Sequence, residues 1–347
     1  MNIPLLKSIC ETAGAPGFES RIRELIINEI TPYVDEVKVN NMGNVYAIKK
    51  GASSKKVMIG AHMDEIGFIV THIDDNGFLR FHTLGGFDPK TLTSQRVIVH
   101  GKKDLIGVMG SKPIHLMTPE ERNKATKTTD YFVDLGLPKE EVDKYISIGD
   151  PITRHGELIE MGNCINGKSI DNRISVYILI ETLKRLQSKK VPYDIFGVFT
   201  VQEEVGIRGA NVSSMDIQPD FGIGLDTTVA YDLPGAQAHE RITQLGQGVG
   251  IKIMDASTIC DYRMVDFMKN TADKHKVKWQ AEILPAGGTD TAGIQRMNDG
   301  GAISGALSIP TRHLHQVIEM ANKEDINAAI DLLEACLLNL DKFDWEF

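Results

Sequence analysis

Three apolar runs, far apart in the chain, each end in residues that could do chemistry. Val57-Met58-Ile59-Gly60-Ala61 stops at His62-Met63-Asp64. Ile195-Phe196-Gly197-Val198-Phe199-Thr200-Val201 stops at Gln202-Glu203-Glu204, and Phe221-Gly222-Ile223-Gly224-Leu225 stops at Asp226. Runs of this kind read as buried strands, and in an open α/β sheet ligands bind beyond the carboxyl ends of the strands. Asp171 opens a helical stretch, and two histidines, His313 and His315, follow a late apolar run. Imidazoles and carboxylates together suit borderline divalent metals. A dinuclear hydrolytic site needs two or three ligands per ion, one shared carboxylate, and a separate carboxylate to take a proton from the bridging water. His62, Asp171, Glu204, Asp226 and one late histidine supply the ligand types. Glu203 is left over as general base. Asp64, two residues from His62, is positioned to accept a hydrogen bond from the imidazole N–H and fix its tautomer.

Each residue also has a plainer reading. A lone His-x-Asp is usually a hydrogen-bonded pair, a Glu-Glu doublet is usually solvated charge, and an Asp before a helix is usually an N-cap. The convergence on strand ends favours a site, because unpaired carboxylates at the mouth of a sheet are costly unless something neutralises them. Adjacent strand residues point to opposite faces. Glu203 and Glu204 share one site only if the strand has already broken into a loop. That geometry also disfavours a glycosidase, whose two carboxyl groups flank the scissile bond at roughly 5–9.5 Å.

The elements that must position these residues follow from the rest of the chain. It has 347 residues, 42% hydrophobic and 24% charged, with a formal net charge of −9. This length suits a larger domain plus a smaller one. No basic run marks nucleic acid as a partner. Four dispersed cysteines without a CxxC pair read as reduced thiols in a cytoplasmic protein. The N-terminal stretch lacks the apolar core of a signal peptide, and no apolar run reaches the ~20 residues of a membrane span. Residues 3–12 and 19–31 are predicted helices, with Glu19 and Ser20 at the start of the second, where caps and acids are favoured. Val34–Val39 and Val45–Ile48 form a predicted hairpin ahead of the strand at 57–61. Between about 68 and 165 short β-like runs and turn signals alternate. Phe68–Ile73, Phe78–His82, Arg96–Val99 and Leu105–Met109 stand out, and the pattern predicts a small barrel or sandwich inserted into an α/β domain. Beyond Gly167 the α/β pattern returns. Helices are predicted at 174–186, 264–275, 291–297 and 324–340, strands at 195–201, 221–225, 248–254, 277–283 and 302–309.

The motifs resemble those of the tetrahedral (TET) aminopeptidases, the glutamyl and deblocking aminopeptidase family of dinuclear metallopeptidases. The resemblance rests on Ala61-His62-Met63-Asp64-Glu65-Ile66-Gly67-Phe68, Lys168-Ser169-Ile170-Asp171-Asn172-Arg173, Val201-Gln202-Glu203-Glu204-Val205-Gly206-Ile207-Arg208-Gly209-Ala210, Gly287-Gly288-Thr289-Asp290 and Thr311-Arg312-His313-Leu314-His315. These pieces occur in family order across nearly the whole chain. The resemblance implies that His62 and Asp226 bind one metal, that Glu204 and His315 bind the other, and that Asp171 bridges. It implies Glu203 as base and Asp64 as support for His62. His313 stands where the family usually has tyrosine, and Gln316 where serine or threonine is common.

The resemblance further implies a mixed sheet between helices for residues 1–67 and 166–347. It implies a β-rich dimerisation domain at 68–165, through which family members build a twelve-subunit tetrahedron. The reading is therefore a cytoplasmic dinuclear metalloaminopeptidase that trims peptides from the N-terminus with two ions, zinc or cobalt. Two alternatives stand beside it: a metal-dependent deacylase acting on N-blocked substrates, and a non-catalytic assembly protein on the same scaffold. No basic residue is assignable to binding an acidic N-terminal side chain.

Overall fold

The computed structural model describes residues 1–346. Its centre is set by four strands that are largely buried along their length. In Ser53–His62 the last six residues are buried, and Tyr193–Thr200, Phe221–Val229 and Ile303–Arg312 are buried almost throughout. Strands apolar on both faces need cover on both faces, the condition met by parallel strands between helices. In the order Tyr193–Thr200, Ser53–His62, Phe221–Val229, Ile303–Arg312 they lie side by side and parallel. Their carboxyl ends share one edge.

Antiparallel partners widen this core to an eleven-stranded mixed sheet. The hairpin Glu36–Val39 and Val45–Lys49 flanks Tyr193–Thr200. Glu319–Asn322, Cys164–Gly167 and Ile159–Met161 extend the other side, while Val249–Met254 joins Ile303–Arg312 to Trp279–Ile283. One face is covered by Ile3–Glu11, Ser20–Ile30, Ile170–Leu186, Tyr262–His275 and Lys323–Leu337. Ile170–Leu186 is buried nearly all round, enclosed between the sheet and the other helices. Its first turn departs from helical dihedrals at Asp171 and Asn172, which are joined by a cis peptide.

Arg208–Ile217 and Asp290–Arg296 cover the opposite face. The second of these lies very close to the strands, and glycines permit it. A Cβ built on Gly224 would sit 1.9 Å from Thr291 Oγ1, and one on Gly222 2.3 Å from Ile294 Cγ2. The close seat brings Asp290 down onto the Thr200 hydroxyl at the sheet's active edge, where the two hydrogen-bond.

The chain leaves the large sheet after His62 and rejoins it at Ile159. Between, Gly67–Ile73, Leu79–Leu84, Phe132–Asp134, Asp104–Gly110, Arg96–His100 and Pro151–Arg154 close into a six-stranded barrel. It has its own apolar core, including Phe68, Val70, Leu79, Val97, Val133 and Ile152. The strands at 132–134 and 151–154 are three and four residues long, too short to show a period. No helix among the described residues is long and apolar enough to cross a membrane.

Gly224→Val should lower the unfolding free energy by about 3 kcal/mol, the cost of overpacking a tight interface. Gly156→Ala, whose Cβ would meet nothing closer than 3.7 Å, serves as control and should cost less than about 1 kcal/mol. Urea midpoints of the two variants check this.

Candidate active site

The sequence-predicted residues meet at the carboxyl edge of the parallel strands. His62 is the last residue of its strand, level with Thr200. Pairing between Ser53–His62 and Phe221–Val229 stops at Gly60 and Gly224, two residues short of His62 and Asp226. The strands part there and open a crevice. After Thr200 the chain turns at Gln202, which has a left-handed φ of 54°. The strand has therefore ended before Glu203 and Glu204, and both line one cavity of about 660 Å³ with His62, Asp171, Asp226 and His315. His315 sits on the turn after Ile303–Arg312, also left-handed at φ 61°. Strained turns carrying functional side chains are a recurrent feature of active sites.

Asp171 lies at the centre. Its Oδ1 is 3.3 Å from His62 Nε2 and its Oδ2 is 3.4 Å from His315 Nε2. Two groups of potential ligand atoms share it: His62, Asp171 and Asp226, and Asp171, Glu204 and His315. Within each group the atoms lie within 4.8 Å of one another. Glu203 belongs to neither group, with Oε2 at 3.9 Å from His62 Nε2. His313 is in neither group and does not line the cavity.

A layer of hydrogen bonds behind these side chains holds them. The Asp64 carboxylate accepts the backbone N–H of Glu203 at 3.1 Å and of Glu204 at 3.2 Å. His62 Nδ1 is 3.2 Å from the Asp64 carbonyl oxygen and 3.4 Å from its Oδ1, so the support comes from both. Buried Glu19 accepts from Gly17 at 2.7 Å and from Gln202 at 3.2 Å. Three consecutive amides, 202 to 204, thus end on two buried carboxylates. Glu319 does the same on the other side, accepting from His315 N–H at 2.8 Å and Asp171 N–H at 2.9 Å. His315 Nδ1 donates to the Gly86 carbonyl of the barrel at 2.8 Å, which leaves Nε2 facing Asp171. Sequence reasoning did not find Glu319, whose one signal is an isolated acid four residues past His315. It read Glu19 as a helix-start residue, yet its side chain makes no cap bond and turns back to the Gln202 loop.

Charge is crowded here. Burial and the neighbouring Asp171 charge push Glu204 up to about 7. Burial, reinforced by surrounding acids, holds Glu203 and Asp226 well above their ordinary values, and burial lifts Asp290 to about 6. For His315 burial opposes charge, but the Asp171 bond and the Glu204 charge win and raise it to about 10. Asp171 is lowered despite burial, through its bonds to His315 and His62. Glu204 Oε1 is buried without a hydrogen-bond partner. Oxygen and imidazole donors in two triplets, with a buried carboxylate oxygen left unpartnered on one of them, fit a pair of divalent cations.

A sequence profile of the M42 glutamyl aminopeptidases matches residues 43–332. The chain belongs to that family. Members are metal-dependent aminopeptidases, and the fold described above is that of such an enzyme. The lysyl aminopeptidase of Pyrococcus furiosus is 33% identical over 98% of both chains. A TET aminopeptidase from a marine-sediment Thaumarchaeota archaeon is 35% identical, with a TM-score of 0.94 covering 97% of this chain and 96% of that one. The TET1 peptidase of Pyrococcus horikoshii, described as assembling into a tetrahedron or a large octahedral shell, is 30% identical. Its TM-score is 0.88 over 97% and 99% of the two chains.

The charges fix how the metal-free M42 protein responds to pH. Glu204, Glu319 (raised to about 8, burial dominating) and Asp290 hold protons more tightly folded than unfolded. The cost of ionising them is absent below their ordinary values of 4.5, 4.5 and 3.8 and grows as pH rises to about 8. His62 and His315, both raised, stabilise fully below 6.5 and lose that contribution as pH climbs. The lowered Asp171 contributes above 3.8 and loses its effect only in acid. After chelation, the melting temperature should therefore fall from about pH 5.5 to about pH 8.5, while the cation-loaded protein falls less. Parallel profiles would contradict the electrostatic account.

Proposed function

We propose that this M42 family member removes N-terminal residues from peptides at the cluster built on Asp171. His62 and Asp226 hold one divalent ion, Glu204 and His315 hold a second, and Asp171 serves both. Zinc and cobalt suit the donor set. When bound, two such ions supply an acidified water and a Lewis acid for the scissile carbonyl. Glu203, outside both ligand groups and within 3.9 Å of His62, takes the proton from the attacking water and returns it to the leaving amine. Asp64 and Glu19 hold the backbone of residues 202–204, so the Glu203 carboxylate is aimed by bonds that leave the carboxylate itself free. Asp171, with an oxygen toward each histidine and a free glutamate beside it, is the observation that carries this reading.

The segment 68–165 acts, on this reading, as an inserted dimerisation domain, with dimers assembling into a tetrahedral dodecamer. Support comes from the assemblies described for the Pyrococcus horikoshii relative and from Ile106, Val108, Ile114 and Leu116 exposed around the barrel. A cytoplasmic location is part of the proposal, in keeping with four unpaired cysteines.

Glu203→Gln keeps the shape and removes the base. It should lower kcat by about 1,000-fold, with metal content and KM little changed. Aminoacyl p-nitroanilide kinetics beside elemental analysis of the purified protein measure both. Retained turnover would refute the role of Glu203. Cleavage of N-acetylated but not free peptide amides would favour the deacylase instead.

A further inference from the structure

An enzyme that anchors a free N-terminus and its scissile carbonyl at one cluster leaves the first side chain little choice of place. It branches from the carbon between those two groups, so it lies in the same cavity. The walls of that cavity beyond the cluster are apolar: Phe87 from the barrel, Ile207 after the Glu203–Glu204 turn, Val229 after Asp226, then Leu284 and Leu314. Among the described residues no lysine or arginine lines it.

Two of the hydroxyls in the wall are already engaged. The Thr228 hydroxyl donates to Glu282 at 2.7 Å and the Thr289 hydroxyl to Asp255 at 3.3 Å. The nearest buried cation behind them, Lys252, is fully enclosed and paired with Asp255 at 3.0 Å and Glu282 at 3.1 Å. That trio carries a net negative charge and gives nothing to an anion. On the rim, Asp88 is exposed, and its carboxylate already accepts the Lys90 N–H at 3.0 Å. A solvated carboxylate of this kind attracts a lysine side chain only weakly.

Resting on the aminopeptidase reading, we infer that this chain selects peptides with a neutral, apolar first residue such as leucine, in preference to the glutamyl and lysyl residues named for its family and its Pyrococcus furiosus relative. A glutamyl side chain loses its water in this cavity and finds no cation to pair with. A lysyl side chain leaves its ammonium against Phe87, Val229 and Leu284. An unpaired charge among such walls is strongly disfavoured.

The cation-loaded protein, assayed with leucyl-, glutamyl- and lysyl-p-nitroanilide, should give a kcat/KM for leucine about 100-fold or more above either other substrate. Leu284→Arg, which adds a cation to the wall away from the cluster, should narrow the leucyl-to-glutamyl ratio by about tenfold or more. Val229→Lys reads the same ratio from a second wall position if the first variant does not accumulate. Faster glutamyl or lysyl cleavage overturns the inference and leaves the aminopeptidase intact. An unchanged ratio in the folded variants overturns the assignment of this wall. If none of the three substrates is cleaved while acetylated peptides are, the aminopeptidase reading fails and takes this inference with it.

Discussion

Like charges a few ångströms apart and out of water cannot all stay ionised without a counter-charge. Asp171, Glu203, Glu204, Asp226 and Asp290 are gathered around two imidazoles under that constraint, and the rest of the molecule is arranged to tolerate it. Protons or cations must make up the balance. The pairing of Asp171 with both histidines is the attraction that links the two halves of the cluster. It divides the acids into two sets with a common member and leaves Glu203 outside both.

Holding such a cluster open demands rigidity from atoms that do not take part. Backbone amides provide it. Asp64 and Glu19 receive three successive N–H groups of the Gln202 turn, and Glu319 receives those of Asp171 and His315. Each supporting carboxylate is buried, and each aims a loop that would otherwise relax out of its left-handed turn. The glycines of the central strands serve the same end by letting Asp290–Arg296 close over the other face.

Much of this was readable in the chain. Continuous apolar runs at 57–61, 195–201 and 221–225 announced parallel strands, and their polar last residues pointed to one edge of the sheet. The adjacency of Glu203 and Glu204 required a broken strand, and the turn at Gln202 meets that requirement. Dense turn signals after residue 68 announced the barrel, though Phe132–Asp134 and Pro151–Arg154 are too brief to carry a pattern. Glu19 and Glu319 were not readable as part of the site. Their partners are main-chain amides brought near by topology, and an amide has no letter in a sequence. For the same reason Asp64 was expected on the imidazole alone, whereas its carboxylate is mostly spent on Glu203 and Glu204.

The bond from His315 to the carbonyl of Gly86 crosses from one folding unit to the other. A Cβ at position 86 would meet the imidazole no closer than 3.6 Å, so alanine fits there while offering the same acceptor. A one-residue gain or loss in the connecting loop, by contrast, shifts the oxygen itself. The length of the loop between Leu79–Leu84 and Arg96–His100, two strands that do not pair, therefore bears on where His315 Nε2 points.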